Sequence, residues 1–404
     1  MTAGTMTSRE RVLAALRHEE TDCVPIDLDG TRASGISAIA YNRLRRHLAL
    51  PPGLARMYDL GQQLSHPETA VLARLGVDTL PLNRWPEGHG LRHGQWEPWA
   101  LPDGSQALVP AGFAPETDAR GNQYILDEDG RRVRMRPATG FYFDRIYHPL
   151  ADATTVAEIE AYPLPVISDE ELSALRLEAK FLCENTDKAI VGEFGGSVLE
   201  AGQDLRGWDR FLIDLVAERE LAEALLHRVA DNAIANLQRY MAAVGQYVQV
   251  VMMGDDLGIQ HGLQMSPATY RRMIKPHHAR IYGCVKAHST ACVLLHSCGA
   301  VAPLIPDLIE AGVDALNPVQ ISAKGMAPAT LKRDFGKDIT FWGGGCDSQA
   351  ILPTATPEEV RRHVRELVDI FAPGGGYVFA PVHNIQPDVP PENVIAAFDA
   401  VRKF

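Results

Sequence analysis

A histidine and a cysteine two residues apart, His296 and Cys298, lie in the otherwise largely apolar stretch VLLHSCGAV at Val293 to Val301. In an extended strand, residues i and i+2 face the same way, so one imidazole and one thiol can converge on a single ion. Nitrogen and sulfur donors suit zinc, and a catalytic zinc keeps three protein ligands with one position open for water or substrate. His383 and Cys346 each follow another strand-like run and are available to complete such a set. More polar residues fall at comparable points. Asp255 and Asp256 follow VVMMG and Glu193 ends AIVGE; these carboxylates are candidates for acid and base work or for orienting ligand histidines. Arg32, beyond VPIDLDG, is suited to clamping a carboxylate, while Gln260, Asn317, Gln320, Asp347 and Asn384 are expected to contact substrate. Gly343 to Gly345 carry neither a GxGxxG pattern nor a Walker lysine and read as a tight turn. His277, His278 and His288 read as residues on a helix surface.

These side chains need a frame that brings strand ends together. Runs rich in Val, Ile, Leu and Phe alternate with amphipathic segments: KAIVGEF, YVQVVMMGDD, ACVLLHSC, VDALNPV, DITFWGGG and YVFAPV each precede a helical pattern. With CVPIDL and GVDTLPL they number about eight, which predicts an α/β fold of the (β/α)8 TIM-barrel type, a parallel sheet covered by helices. In that fold chemistry lies where strands end and loops to the next helix begin. Thr7 to Glu10 is a capping-box pattern opening an N-terminal helical extension over RVLAALRH. Residues 95–143 are polar and rich in Gly, Pro and Asp, and an Asp-Gly turn inside NQYILDEDGRRVRMR predicts an inserted β-hairpin that acts as a flap.

Composition narrows the partners. The chain has 404 residues, 46% hydrophobic and 22% charged, enough for one large α/β domain or two smaller ones, and with no low-complexity linker dividing it a single domain over 1–404 is expected. Its 39 basic and 51 acidic residues leave a net charge of -12, which argues against a broad grip on nucleic acid or an anionic membrane. A small-molecule substrate is expected. The start, MTAGTMTSRERV, lacks a basic segment followed by an apolar one, so a cytoplasmic protein is expected. Six scattered cysteines are expected to be reduced thiols, some of them free to bind metal.

TSRERVLAALRHEETDCVPIDL, MMGDDLGIQHGLQMSPATYRRMIKP, LLHSCGAVAPLIPDLIEAGVDALNP and GGGYVFAPVHNIQPDVPPENV together resemble the uroporphyrinogen decarboxylase superfamily. The resemblance implies a single TIM barrel and one of two chemistries. True decarboxylases carry an arginine-rich signature after the first strand, where this chain has DGTRASGISA with Arg32 alone, and a catalytic aspartate near the place held here by Asn83. Zinc-dependent methyltransferases of the same superfamily use a His-x-Cys-Gly motif as two metal ligands, matched by His296, Cys298 and Gly299. Their third ligand is a late cysteine where this chain reads PVHN, so His383 is the expected third ligand and Cys346 the alternate third or a fourth. The resemblance therefore implies Zn2+, methyl transfer to or from a thiol or a corrinoid carried on a partner protein, and a dimer. Its alternatives are a metal-free decarboxylase of a carboxylic acid and a barrel that binds without turnover.

Overall fold

The computed structural model describes residues 6–86, 88 and 90–402. Seven short strands form one curled parallel sheet: β1 (Thr79–Leu82), β2 (Ala189–Gly195), β3 (Val250–Gly254), β4 (Cys292–His296), β5 (Ala315–Asn317), β6 (Thr340–Trp342) and β7 (Tyr377–Val378). Each pairs in parallel with its neighbour in sequence, because every connection is a helical crossover that returns on the same side. The expected eighth strand differs. CVPIDL contributes one isolated bridge, Ile26 with Phe379, although its backbone reaches both sheet edges through Asp78 N to Ile26 O (2.8 Å) and Asp27 N to Phe379 O (2.8 Å). Two features deny it a regular ladder. Pro25 has no N–H to give, and the Ile26 N–H is taken by the Asp78 side chain at 2.9 Å.

Helix α1 (Ser8–Leu16) is capped as its sequence predicts, with Thr7 and Glu10 each accepting from the other's backbone N–H. It plugs one end of the curl: Val12, Ala15 and Leu16 pack with Val191, Met252, Leu294 and Trp342 in a buried cluster separate from the core that seats the outer helices. Because strand residues alternate, the rows that fill this inner cluster run on into polar residues. Val191 is followed by Glu193, Leu294 by His296, and Ala315 by Asn317, so the interior ends in a polar mouth. At the buried end, Asp27 accepts from Thr79 Oγ1 and Trp342 Nε1, both at 2.7 Å, which satisfies a carboxylate and an indole inside an apolar interior.

The segment expected to hold one hairpin holds two small sheets. Gln123–Leu126 and Arg132–Arg136 do pair around the Asp-Gly turn, in a four-stranded antiparallel sheet. Arg92–Ala100 pairs antiparallel with Gln106–Ala111, which in turn joins Ala55–Asp59 and Leu64–His66 in a second sheet. Among the described residues no helix is long and apolar enough to cross a membrane.

Candidate functional site

Register places the polar mouth. His296, the last residue of β4, stands level with Gly254 of β3 on one side and Asn317 of β5 on the other. Two residues beyond these levels lie Asp256 and Cys298. Asp256 Oδ1, His296 Nε2 and Cys298 Sγ lie within 4.8 Å of one another, the one such group among the described residues. His296 Nε2 is 3.4 Å from Cys298 Sγ and 3.7 Å from Asp256 Oδ1. The next residue helps to fix the turn. Gly299 has φ +88°, and a Cβ there would stand 2.5 Å from the Gly258 carbonyl carbon, so a side chain would push the Cys298 loop off its neighbour.

The tautomer of His296 follows from its second neighbour. Asn317 Nδ2 donates to the Trp342 carbonyl at 3.0 Å, which leaves Oδ1 facing His296 Nδ1 at 2.7 Å. An amide oxygen only accepts, so Nδ1 carries the hydrogen and the Nε2 lone pair points toward the thiol and the carboxylate. The electrostatics of the group bear on what it can hold. Burial, and then Asp256 and Glu200, push the Cys298 thiol well above its usual range. Burial, and then Asp256 and Asp255, push Glu200 up to about 8. A divalent cation between these atoms would relieve both, and one imidazole nitrogen, one sulfur and one carboxylate oxygen suit it. Replacing Asn317 by alanine is expected to weaken metal binding about 10- to 100-fold by freeing the His296 ring, a loss that competition with a chromophoric chelator reads directly.

Several expected roles change. Asp256, expected as acid or base, belongs to the donor group. Asp255 is fully buried and accepts from the backbone N–H of Val198 (3.0 Å), Leu199 (2.8 Å) and Glu200 (2.8 Å), capping helix α2 (Leu199–Arg206). Its fourth partner is His278 Nε2 at 2.9 Å, and His278 Nδ1 meets the Tyr270 hydroxyl at 3.2 Å. No capacity remains for acid or base work. His278 is therefore a core residue, contrary to its surface reading, and its spacing from Tyr270 and Ile274 on one helix face carried that signal. Glu193 is paired with Arg32 at 2.7 Å, and Arg32 also holds Asp59 at 3.0 Å, so the expected carboxylate clamp already grips two carboxylates of the chain.

Cys346 is fully buried in the outer core with its thiol toward the Asp347 carbonyl at 3.9 Å, and it lies outside the donor group. His383 also lies outside that group, and burial above all lowers its pKa. The residues expected to contact substrate brace loops in the structure. Gln320 accepts from Gly299 N at 2.8 Å and donates to Gln260 at 2.7 Å, tying the Cys298 turn to the next loop. Asp347 accepts from Gln349 N and Ala350 N, both at 2.8 Å, and so folds the turn ahead of a short helix. Asn384 is braced by Gln62 at 2.6 Å, by Tyr142 at 3.1 Å and by Gln386.

Glu200 comes from a segment whose sequence carries no motif. It lines a cleft of about 330 Å³ with Asp256, Gln203, Gln264, Arg145 and Trp208. A carboxyl whose pKa rises from the usual 4.5 to about 8 on folding holds its proton more tightly in the folded state. Its contribution to stability is complete below pH 4.5 and is lost as pH rises through about 8. The metal-free protein should therefore lose stability across that interval, and Glu200→Gln should flatten the trend, as urea denaturation at several pH values would register.

The family model for uroporphyrinogen decarboxylase (URO-D) matches residues 138–404, and the chain belongs to that family. Sequence relatives include the uroporphyrinogen decarboxylase of Alkalilimnicola ehrlichii, 29% identical over 293 residues that cover 69% of this chain and 73% of that protein. Another, from Thermus thermophilus, is 24% identical over 250 residues, 62% of this chain and 68% of that one. A solved structure of a methyltransferase from Methanosarcina mazei superposes with a TM-score of 0.62 at 20% identity and covers 99% of both chains. At that identity the likeness speaks for the fold. Members of the family are enzymes, and two chemistries stand beside this chain: decarboxylation among its sequence relatives and methyl transfer in its structural neighbour.

Proposed function

We propose that the protein is a zinc-dependent methyltransferase or demethylase that moves a methyl group to or from a thiol or a corrinoid acceptor. The convergence of Asp256 Oδ1, His296 Nε2 and Cys298 Sγ carries this reading. His296 and Cys298 were expected as ligands; Asp256 replaces His383 and Cys346 as the third. When bound there, zinc would lower the pKa of a substrate thiol or hydroxyl so that its anion is available near neutral pH. Around it the chain's own groups divide the work. Asn317 keeps the His296 lone pair directed inward, and the backbone N–H of Cys298 fixes Asp256 Oδ1 at 2.7 Å. Glu200 lines the cleft with Asp256, and its carboxyl can exchange a proton with a substrate held beside Trp208 and Arg145. A corrinoid-bearing partner protein and a dimer belong to the same reading. So do an eighth stave at Pro25–Asp27 that closes the barrel, a single domain over 1–404, and a flap over 95–143.

Methyl transfer from methylcobalamin to a simple thiol, followed by the loss of methyl-corrinoid absorbance, tests the proposal. Activity that disappears on chelation and returns with zinc is the expected result. Release of carbon dioxide from a carboxylic acid, undiminished by chelation, would instead select the metal-free decarboxylase reading, which the named relatives favour.

A further inference from the structure

A second cleft, of about 370 Å³, is lined by none of the three donor residues and lies within the size range of small-ligand pockets. His66 and Asn83 lie in its lining with the titratable or charged Asp29, Arg84, His93 and Glu178, and Tyr58, Trp85, Trp96 and Leu80 are among its walls. His66 Nδ1 stands 2.7 Å from Asp29 Oδ2. The carboxylate accepts, so Nδ1 carries the hydrogen and Nε2 presents a lone pair. Asn83 Nδ2, a donor, sits 3.5 Å from that nitrogen. The imidazole plane is fixed by Tyr58, stacked on it at 4.1 Å with 13° between the rings. Asp29 itself is almost fully buried and holds a left-handed backbone at φ +72°, a conformation rare outside glycine and met at functional sites. Burial alone would lower the His66 pKa, but Asp29 together with Glu178 and Glu193 more than offsets it, making the imidazole a stronger base than a free one.

An acceptor and a donor side by side match a hydroxyl group, which gives one hydrogen bond and takes another. Flanking aromatic rings match a flat body. We propose that this cleft binds a flat ring-containing molecule through an acidic hydroxyl, and that His66, held by Asp29, takes the hydroxyl proton. The O–H bond breaks and an N–H bond forms at Nε2; the electron pair stays on the oxygen. The imidazolium is then paired with the Asp29 carboxylate, and the oxyanion accepts from Asn83 Nδ2 and from the new N–H. No metal ligand takes part, so this site stands or falls apart from the methyl-transfer reading.

4-Nitrophenol is the probe, because its visible absorbance reports whether it is bound as phenol or phenolate. The full chain, treated with a chelator or not, should bind it and convert it to phenolate at a pH where the free probe is mostly protonated. His66→Gln, shown folded by its circular dichroism melt, should abolish the conversion, and Asn83→Leu should weaken binding about tenfold. If His66→Gln does not fold, Asn83→Leu alone decides. No conversion by the unmodified protein, or conversion unchanged in a folded variant, would overturn the proposal.

Discussion

Serine in place of Cys298 should lower zinc affinity by at least about a hundredfold and leave the purified protein nearly free of metal. Cys298 is the sole sulfur in the donor group, its Sγ 3.4 Å from His296 Nε2, and a hydroxyl at that position is a far poorer ligand for a borderline-soft ion. Cys346→Ser should leave metal content unchanged, because that thiol is fully buried in the outer core and belongs to no donor group among the described residues. His383→Ala should reduce metal content little, since the imidazole stands outside the donor group. Metal analysis on the three variants separates the arrangement seen here from the set expected on resemblance, in which His383 or Cys346 completes the site.

Asp255→Ala should cost about 3–5 kcal/mol of folding stability, the range found when one partner of a buried charged network is removed. Four donors would be stranded at once: three backbone N–H groups at the start of α2 and His278 Nε2. The loss reaches the site as well, because Asp255 precedes Asp256 in sequence and its cap holds Glu200 in place. Chemical denaturation measures the cost, and Asp255→Asn, which keeps one acceptor, should fall between. Full stability with lost turnover would instead mean that Asp255 acts directly on substrate.

The contrast between Asp255 and Asp256 shows what the sequence makes legible and what it withholds. Period-two alternation places His296 and Cys298 on one side of a strand, and alternating apolar and amphipathic runs disclose seven βα units. Both are local properties, written within a few residues. Which of two adjacent carboxylates turns inward is decided by a partner 57 residues away, Val198, whose N–H meets Asp255, and no pattern near Asp255 encodes it. Glu200 enters by the same long-range route. Gln260, Gln320 and Asn384 are polar residues at strand ends, where substrate contact and loop bracing call for the same amides; only the observed partners tell them apart. CVPIDL reads as a strand by composition, yet Pro25 and the Asp78 side chain withhold the hydrogen bonds of a regular ladder.

X-ray absorption at the zinc edge of the purified, unmodified protein tests the central claim most directly, since it counts the sulfur atoms around the ion. One zinc per chain with a single sulfur and otherwise nitrogen and oxygen ligands is the predicted result. Two sulfurs, no sulfur, or a protein that retains no stoichiometric zinc would contradict the site built from Asp256, His296 and Cys298.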